Sequence, residues 1–330
     1  MAGLKQSILA RTQGNPLFIE EMVQHFVENR TLVGVRGAYE CRREPARLDV
    51  PGTVHAVLAA RIDRLGADDK RVLQAAAVVG KRIPLPVLEE IGEVTGTVLR
   101  DALARLTRTE FLHEASLFPE IEYAFKHALT HEVTYAGLLH DRRRQLHAGA
   151  LGAMERLYAG RLSGHSEALA GHAIQGEVWD RAADHLLEAS SQAFVQGALA
   201  RSLEATERAL ELCGRLPETA SNAACAIDVR LAMYAPLLMR GDLARILVLI
   251  EQAEALARAT GDRLRLGRVL CRLAGPRWVL GEYASALELA QVAHAIGCDI
   301  DDLESRLTGA MLMGVIRFQR GATAGRPSRC

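Results

Sequence analysis

The sequence has few aromatic residues, no excess of either charge and no long hydrophobic run. Aromatic residues make up 5% of the 330 residues, and 40 Lys and Arg balance 40 Asp and Glu. A general nucleic-acid binder needs a basic excess or a basic face, which this balance argues against. No apolar run approaches the ~18 residues of a membrane span, and the N-terminus MAGLKQSILARTQG has no signal-peptide core. We therefore predict a cytoplasmic chain without a membrane or nucleic-acid partner.

The cysteines are few and scattered. They form no C-x-x-C pair, which in a chain of this size favours reduced thiols in a cytoplasmic protein, mostly inside helices. The six are Cys41, Cys213, Cys225, Cys271, Cys298 and Cys330.

A phosphate-binding loop is also missing. AAAVVGKR at 75–82 contains Gly-Lys, but the required G-x-x-x-x-G-K-[ST] has a first glycine where Ala75 stands. Arg82 follows the lysine and cannot supply the magnesium-binding hydroxyl. We find no G-x-G-x-x-G either, so the chain has no triphosphate cradle of these kinds.

Alanine-rich, amphipathic segments fill most of what is present. Residues 4–34 predict helix, turn, helix, with the turn at QGNP, because Gly14 and Asn15 tolerate unusual backbone angles and Pro16 suits a first helical turn. Residues 35–50 predict a short strand or loop. From 51 to 125 the pattern predicts helices followed by a hairpin of FLHEAS and IEYAFK, which is the element order of a winged helix.

Only helices are predicted after residue 126, and glycines recur among them. Gly197, Gly241 and Gly281 each open an amphipathic helix, at intervals of 241−197 = 44 and 281−241 = 40 residues. Gly176 opens a similar helix, and Gly321 follows Gly281 by 321−281 = 40 residues. A period near 40 with two helices per unit is typical of an α-solenoid of tetratricopeptide or looser kind, with the glycine in the turn between paired helices.

Two histidines in FKHALTHEVTY raise the question of a metal site. His127 and His131 are four residues apart and Glu132 follows, but zinc proteases use H-E-x-x-H or H-x-x-E-H. The third ligand would have to be His140 or His147, at no diagnostic spacing. We favour a structural role, with His127 bonding locally near a helix start. The basic run DRRRQLH at 141–147 similarly favours a solvated helix start with local ion pairs.

Three stretches, taken in order, resemble a known family. GNPLFIEEMVQ resembles the segment after the nucleotide-binding core of STAND-type ATPases, signal-transduction ATPases related to the AAA+ class. VPGTVHAVLAARIDRLGADDKRVLQAAAVVGKRIPLPVLEEI looks like that family's helical and winged-helix region. FKHALTHEVTYAGLLHDRRRQLH resembles its F-x-H-x-L…Y…L…R…L-H segment, which leads into tetratricopeptide-like repeats. The sequence of these motifs is similar to that of bacterial proteins that join a class III adenylate/guanylate cyclase domain, an ATPase domain and a helical repeat array. The resemblance covers roughly residues 1–320.

The resemblance implies a mainly α fold, a winged-helix domain with a small β-hairpin followed by an α-solenoid of tetratricopeptide-like helical hairpins. Residues 1–50 would end an ATPase module, 51–125 form the winged-helix-like domain, 126–175 link, and 176–330 form the solenoid. The resemblance also implies that Gly14, Asn15 and Pro16 sense nucleotide, because the family's proline lies near the base and sugar. We expect no catalytic residue, metal or cofactor on this chain, with ATP and Mg²⁺ bound by a parent protein.

We interpret the chain as a regulatory and sensing fragment of a multidomain signal-transduction ATPase linked to adenylate/guanylate cyclase. The expected partners are a nucleotide-binding core and cyclase domain outside this chain, and a protein or small ligand on the repeats. The motif-poor start and the end ATAGRPSRC, which cannot continue the amphipathic pattern, motivate the fragment hypothesis. The alternative is a transcription regulator whose winged helix binds DNA through Arg100, Arg105 and Arg108 of VLRDALARLTR, although that helix is mostly apolar.

Overall fold

The computed structural model describes residues 2–35, 38–42, 53–118 and 120–324. They divide into two compact units, Met1–Leu157 and Tyr158–Cys330. Helices dominate both units, and the strands among the described residues form two small antiparallel sheets in the first. The mainly α fold class is thus confirmed.

The first unit begins with two helices and a hairpin. Helices α1 (Ala2–Thr12) and α2 (Pro16–Glu28) are separated by the QGNP turn, as the sequence predicts. Strands β1 (Leu32–Val35) and β2 (Ala38–Cys41) pair antiparallel, so part of the strand or loop predicted for 35–50 is a strand. Residues 43–50 of that prediction lie outside the described residues. The buried core beneath these elements consists of Leu4, Ile8, Phe18, Met22, Phe26, Leu32 and Val57.

Four helices and a three-stranded sheet follow. The predicted hairpin is confirmed as β4 paired with β5, and β5 is the central strand because β3 pairs with its other edge. The sequence missed β3, since two residues show no alternating pattern. The elements are α3 (Val54–Asp63), α4 (Ala67–Val79), β3 (Ile83–Pro84), α5 (Leu85–Ile91), α6 (Gly96–Arg108), β4 (Leu112–Ser116) and β5 (Glu122–Phe125).

Two helices, α7 (Ala128–Ala136) and α8 (His140–Leu157), complete the first unit. Both contact α4, whose Val72, Leu73 and Ala76 belong to the largest apolar core of this unit. Helix α6 turns Leu99, Leu103 and Leu106 into the same core. Burial of these side chains at roughly 1.5–3 kcal/mol each is the main term holding the helices on the sheet.

The second unit is helical throughout its described residues. Each helix from α9 onward packs against the next one in the chain, and α12 and α14 also contact the helix two places ahead. The elements are a 3-10 helix (Leu162–His165), α9 (Ser166–Gln175), α10 (Trp179–Val195), α11 (Leu199–Cys213), α12 (Ala220–Arg240), α13 (Leu243–Thr260), α14 (Arg263–Val279), α15 (Tyr283–Asp299) and α16 (Leu303–Ala324).

The periodic glycines lie in turns between successive helices. Gly197, Gly241 and Gly281 have φ of +76°, +74° and +82°. Glycine adopts this left-handed conformation without the steric penalty that a Cβ brings, so it is the residue that lets the chain reverse there. At the α9–α10 turn, Gly176 is right-handed and Glu177 takes the positive φ of +57° instead.

One repeat prediction is wrong. Gly321, the next glycine of the period and so expected in a turn, lies inside α16, which continues to Ala324. A glycine inside a helix costs only about 1 kcal/mol relative to alanine, so packing elsewhere along α16 outweighs it. Among the described residues, no helix combines the length and apolarity needed to cross a lipid bilayer.

Close helix packing in the second unit depends on small residues. At Gly309 of α16, an added Cβ would lie 2.9 Å from the Ala290 oxygen and 2.9 Å from the His294 nitrogen. Both atoms belong to the backbone of α15, so that helix could not move aside locally. Ala286, Ala290 and Ala293 of α15 are fully buried along the same helix. Small side chains here allow α15 and α16 to approach closely.

Candidate functional site

The turn before α2 is held by its own hydrogen bonds. The Asn15 backbone N–H donates to the Thr12 carbonyl at 2.9 Å, and the Asn15 side-chain oxygen accepts from the Phe18 N–H at 3.2 Å. Asn15 is therefore the N-cap of α2, and Pro16 occupies the first helical turn. Gly14 has a φ of +78°, with open space where a Cβ would point. The turn thus presents bare backbone to its surroundings.

Two of the three sequence-predicted residues line one cavity. This turn cavity has a volume of about 670 Å³, which is large enough for a drug-sized molecule. Gly14 and Pro16 lie on its wall, whereas the Asn15 side chain is occupied in capping the helix. The lining comes from the turn, α2, β2 and the end of α6: Gly14, Pro16, Ile19, Glu20, Val23, Gln24, Tyr39, Arg108 and Glu110.

Charged side chains connect this cavity to the three-stranded sheet. Lys126, directly after β5, places its Nζ 2.9 Å from Glu20 Oε1 and 2.9 Å from Glu110 Oε2. Burial alone would lower the pKa of Lys126, but its hydrogen bonds to Glu110 and Glu20 raise it. One ammonium group therefore joins two carboxylates of the cavity wall, one on α2 and one after α6.

A second connection is buried. Arg61 of α3 is 2% exposed and pairs with Glu21 and with Glu28, its Nη2 lying 2.6 Å from Glu28 Oε1. The same Nη2 donates to the Thr109 carbonyl at 2.9 Å, and the guanidinium lies 4.6 Å from the Phe111 ring centroid. Arg61 thus binds α2, α3 and the end of α6 together.

Burial and ion pairing shift the pKa of Arg61 in opposite directions. Burial lowers the pKa of Arg61, yet the hydrogen bonds to Glu28 and the charge of Glu21 outweigh it and raise the pKa. Burial raises the pKa of the Glu21 carboxyl despite the nearby guanidinium. Removing one partner from such a pair typically costs about 3–5 kcal/mol, since the other charge stays buried. The contact is therefore a strong constraint on how α2 docks.

The two histidines of FKHALTHEVTY do not converge. His127 is the N-cap residue of α7, outside the helix, and its Nε2 lies 3.7 Å from Glu20 Oε2 of α2. The prediction that it bonds locally is thus wrong, because Glu20 lies far away in the sequence. His131 places Nε2 2.9 Å from the Ala77 carbonyl, so that nitrogen donates. No group of three or more potential metal ligands occurs among the described residues.

Two other sequence features take structural positions. Helix α4 ends at Val79, so Gly80-Lys81 follows a helix rather than opening one as a phosphate loop does. In the basic run, Arg142 pairs with Glu93 at 2.9 Å, and Arg143 lies 4.4 Å from the Tyr135 ring centroid. The run opens α8 as predicted, and Arg144 pairs locally with Asp141 at 3.8 Å, but the partner of Arg142 lies in a distant part of the sequence.

Helix α6 shows how the residues of the DNA-binding alternative are used. Arg105 makes a bidentate contact with Asp69, with distances of 2.7–3.0 Å. Arg108 lines the turn cavity and donates to the Ala104 carbonyl at 3.4 Å. The side chains of Leu99, Leu103 and Leu106 are buried. Arg105 and Arg108 thus make contacts within the unit, whereas Arg100 is exposed, and the alternative gains no support.

Sequence reasoning missed the charged residues that connect α2 to the rest of the unit. Arg61 left one available signal, since it lies on the same helical face as the buried Val57 and Leu58. A charged residue on an apolar face indicates a buried partner. Glu20, Glu110 and Lys126 left no such signal, because each is only partly buried and its partner lies on another element.

Comparisons with known proteins add little detail. No family model matches the chain. An uncharacterized protein of Rhizobium meliloti (strain 1021) is 28% identical over 207 residues, which is 62% of this chain. The chain spans about a fifth of the length of that relative, 20%. The chain also aligns with a crystal structure from Pyrococcus horikoshii, of a signal transduction ATPase with numerous domains (STAND) protein with a tetratricopeptide repeat sensor. The alignment covers 95% of this chain and 53% of the other, at 10% sequence identity and a TM-score of 0.31.

Proposed function

We propose that this chain is the regulatory region of a STAND-type signal-transduction ATPase, whose nucleotide-binding core lies outside these 330 residues. The sequence resemblance of GNPLFIEEMVQ and FKHALTHEVTYAGLLH supports this proposal. In this proposal, ATP and Mg²⁺ bind to the nucleotide-binding core, and the way this chain packs on that core changes with the bound nucleotide. A cyclase domain as the output is part of the same proposal.

A single observation carries the proposal. Pro16, the residue expected near the nucleotide, lines the same cavity as Glu20, and Glu20 is ion-paired to Lys126 at the end of β5. Any ligand that displaces the turn also displaces the N-terminal part of α2, because Pro16 and Glu20 share that helix. The ion pair would pass this displacement to the sheet.

The topology around the sheet supports a winged helix in this role. The order α4, β3, α5, α6, β4, β5 with the sheet order β3-β5-β4 is compatible with the element order expected of a winged helix. In the proposal, this winged helix packs on the nucleotide-binding core rather than on DNA. The pairing of Arg105 with Asp69 favours that role, since it withdraws a base-reading charge from α6.

The helices of the second unit are proposed as a tetratricopeptide-like sensor for a protein or small ligand. Turns with left-handed glycines at Gly197, Gly241 and Gly281 support the repeat assignment. Between α9, α10 and α11 lies a cavity of about 340 Å³, lined by small side chains such as Ala189 and Ala193 together with Gln192 and Arg201. Such a mixture of small and polar groups suits a short peptide segment.

Nucleotide calorimetry tests the proposal. ATP and ADP are titrated into this chain and into the parent protein that includes the segment before residue 1. We expect the chain alone to bind neither tightly, and the parent to bind both. In the parent, Pro16→Ala should change the ratio of ATP to ADP affinity about fivefold, equivalent to ~1 kcal/mol.

Pro86→Ala is the matched control, since Pro86 also lies in a first helical turn, that of α5, away from the turn cavity. It should leave the affinity ratio unchanged. Tight ATP binding by the chain alone would contradict the proposal, as would a parent whose nucleotide preference ignores Pro16→Ala.

A further inference from the structure

Two cysteines that the sequence separates are brought together in the second unit. Cys213 is the last residue of α11 and Cys225 lies in the second turn of α12, and their sulfurs are 3.8 Å apart. The connection between them is ordered by Thr219, whose hydroxyl accepts from the Asn222 N–H at 3.2 Å. The Asn222 side chain donates to the Pro217 carbonyl at 2.8 Å. The hydrogen bonds of this connection therefore keep the two thiols close together.

The pair is reachable from outside. Cys213 lines a cavity of about 490 Å³, large enough for small oxidants to enter. Both cysteines are partly buried, in contrast to Cys271, which is buried in the apolar core. The cavity is walled on its other sides by Pro217, Thr219, Ala226 and Leu256. An oxidant entering it meets Cys213.

The two thiols are electrostatically unequal. The hydrogen bond with Cys225 lowers the pKa of Cys213, burial opposes this effect, and the nearby guanidinium of Arg230 adds to it. The same hydrogen bond, together with burial, raises the pKa of Cys225. By contrast, burial raises the pKa of the Cys271 thiol to about 11. Because Cys213 is the thiol that lines the cavity, and the guanidinium of Arg230 favours its thiolate, Cys213 is the nucleophile of the pair.

We propose that Cys213 and Cys225 form a redox-active dithiol, which hydrogen peroxide converts into an intramolecular disulfide. The Cys213 thiolate attacks one peroxide oxygen, so that an S–O bond forms, the O–O bond breaks, and the departing hydroxide takes up the proton lost by Cys213. The Cys225 sulfur then attacks the Cys213 sulfur. The S–S bond forms, the S–O bond breaks, and the second hydroxide leaves as water with the Cys225 proton. Two thiols and one peroxide thus give one disulfide and two waters.

Little movement separates the two states. A disulfide has its sulfurs about 2 Å apart, so side-chain rotation must bring the present 3.8 Å down by a little under half. The bond would close the connection between α11 and α12 into a ring and restrict the turn between two neighbouring hairpins. This inference does not depend on the proposed ATPase role, since it concerns only the second unit.

Peptide mapping after peroxide treatment tests the inference. Trypsin cleaves after Arg208, Arg215 and Arg230, which leaves Cys213 on residues 209–215 and Cys225 on residues 216–230. In the reduced, folded chain, we expect peroxide to link these two peptides, and dithiothreitol to separate them again. The linkage should form about tenfold or more faster in the folded chain than in urea, because folding holds the sulfurs together.

Variants distinguish the roles of the two thiols. Cys225→Ser should leave a sulfenic acid on Cys213 that dimedone traps, whereas Cys213→Ser should give no adduct on Cys225. Cys298→Ser is the matched control, since Cys298 is exposed and lies 3.6 Å from His294 rather than beside a second thiol. It should leave the linkage unchanged. Equal linkage rates in urea, or a missing dimedone adduct in Cys225→Ser, would overturn the inference.

Discussion

The two units use charge in opposite ways. In the first, Arg61 is 2% exposed and joins segments 33 and 40 residues away, at Glu28 and Glu21. In the second, Arg265 is 28% exposed and pairs with Asp228, 37 residues away, and with Asp262 at the start of its own helix, so the difference lies in burial and not in sequence separation. Buried pairs are costly to break, whereas partly exposed ones contribute little. The first unit thus depends on a few specific contacts, and the second on many small ones.

The largest expected effect comes from breaking the buried pair. Arg61→Met should lower the free energy of unfolding of the first unit by about 3–5 kcal/mol, because it leaves Glu21 and Glu28 without a cation. Urea titrations followed by far-ultraviolet circular dichroism measure this loss. Both tryptophans, Trp179 and Trp278, lie in the second unit, so their fluorescence transition should stay in place.

Arg265→Met is the matched change in the second unit. It should cost about 1 kcal/mol or less, visible in the tryptophan fluorescence transition. Equal losses for the two variants would show that the contrast in charge burial has no energetic counterpart.

The pH dependence of stability is a second way to distinguish the two units. Burial lowers the pKa of His172, in the second unit, from 6.5 to about 4, so the folded state keeps this ring neutral. As the pH falls below 6.5, the His172 ring binds a proton in the unfolded chain but stays neutral in the folded chain. The free energy of unfolding should therefore fall by about 1.4 kcal/mol per pH unit, or ~3 kcal/mol by pH 4.

Urea titrations at pH 7, 6 and 5 with fluorescence detection check this expectation. His172→Gln should reduce the change of the free energy of unfolding with pH. A smaller pH dependence should remain, because burial also lowers the pKa of His185. His25 is the counterpart in the first unit, where burial and the charges of Arg64 and Arg61 lower its pKa to about 4. If His25→Gln rather than His172→Gln flattened the fluorescence slope, the assignment of pH sensitivity to each unit would be wrong.

The last comparison is between two glycines of α16. Gly309→Ala should destabilise the second unit by about 1–3 kcal/mol, because its Cβ would press on the α15 backbone. Gly314→Ala meets no atom within 4 Å and should stabilise by about 0.5–1 kcal/mol through helix propensity. Fluorescence-detected urea midpoints compare the two. Shifts of the same sign would mean that the close approach of α15 and α16 does not exist in solution.

Much of the helical order followed from local rules. Gly197, Gly241 and Gly281 were predictable as turns because a left-handed backbone favours glycine irrespective of distant neighbours. Gly321 was not, since its flanking residues look similar and a helical glycine is only mildly unfavourable. His127 was placed in a helix that begins one residue later, an error that helix boundaries commonly carry.

The candidate site was predictable only in part. The turn at Gly14 and Pro16 is a local feature, and the sequence located it. The contact of Lys126 with Glu20 spans 106 residues, and no periodicity relates α2 to β5 across that distance. The pairing of Cys213 with Cys225 likewise needed the fold of the turn between them, because a sequence separation of 12 residues fixes no sulfur-to-sulfur distance.

The neighbour-to-neighbour packing of α9 to α16 also bears on how the chain folds during synthesis. Each hairpin of the second unit finds most of its contacts within the preceding few dozen residues, so it can become ordered soon after it leaves the ribosome. The first unit cannot finish so early, since Glu20 must wait for Lys126 to emerge. Through that interval α2 remains without one of its partners, so a helix made early in this unit is among the last to be secured.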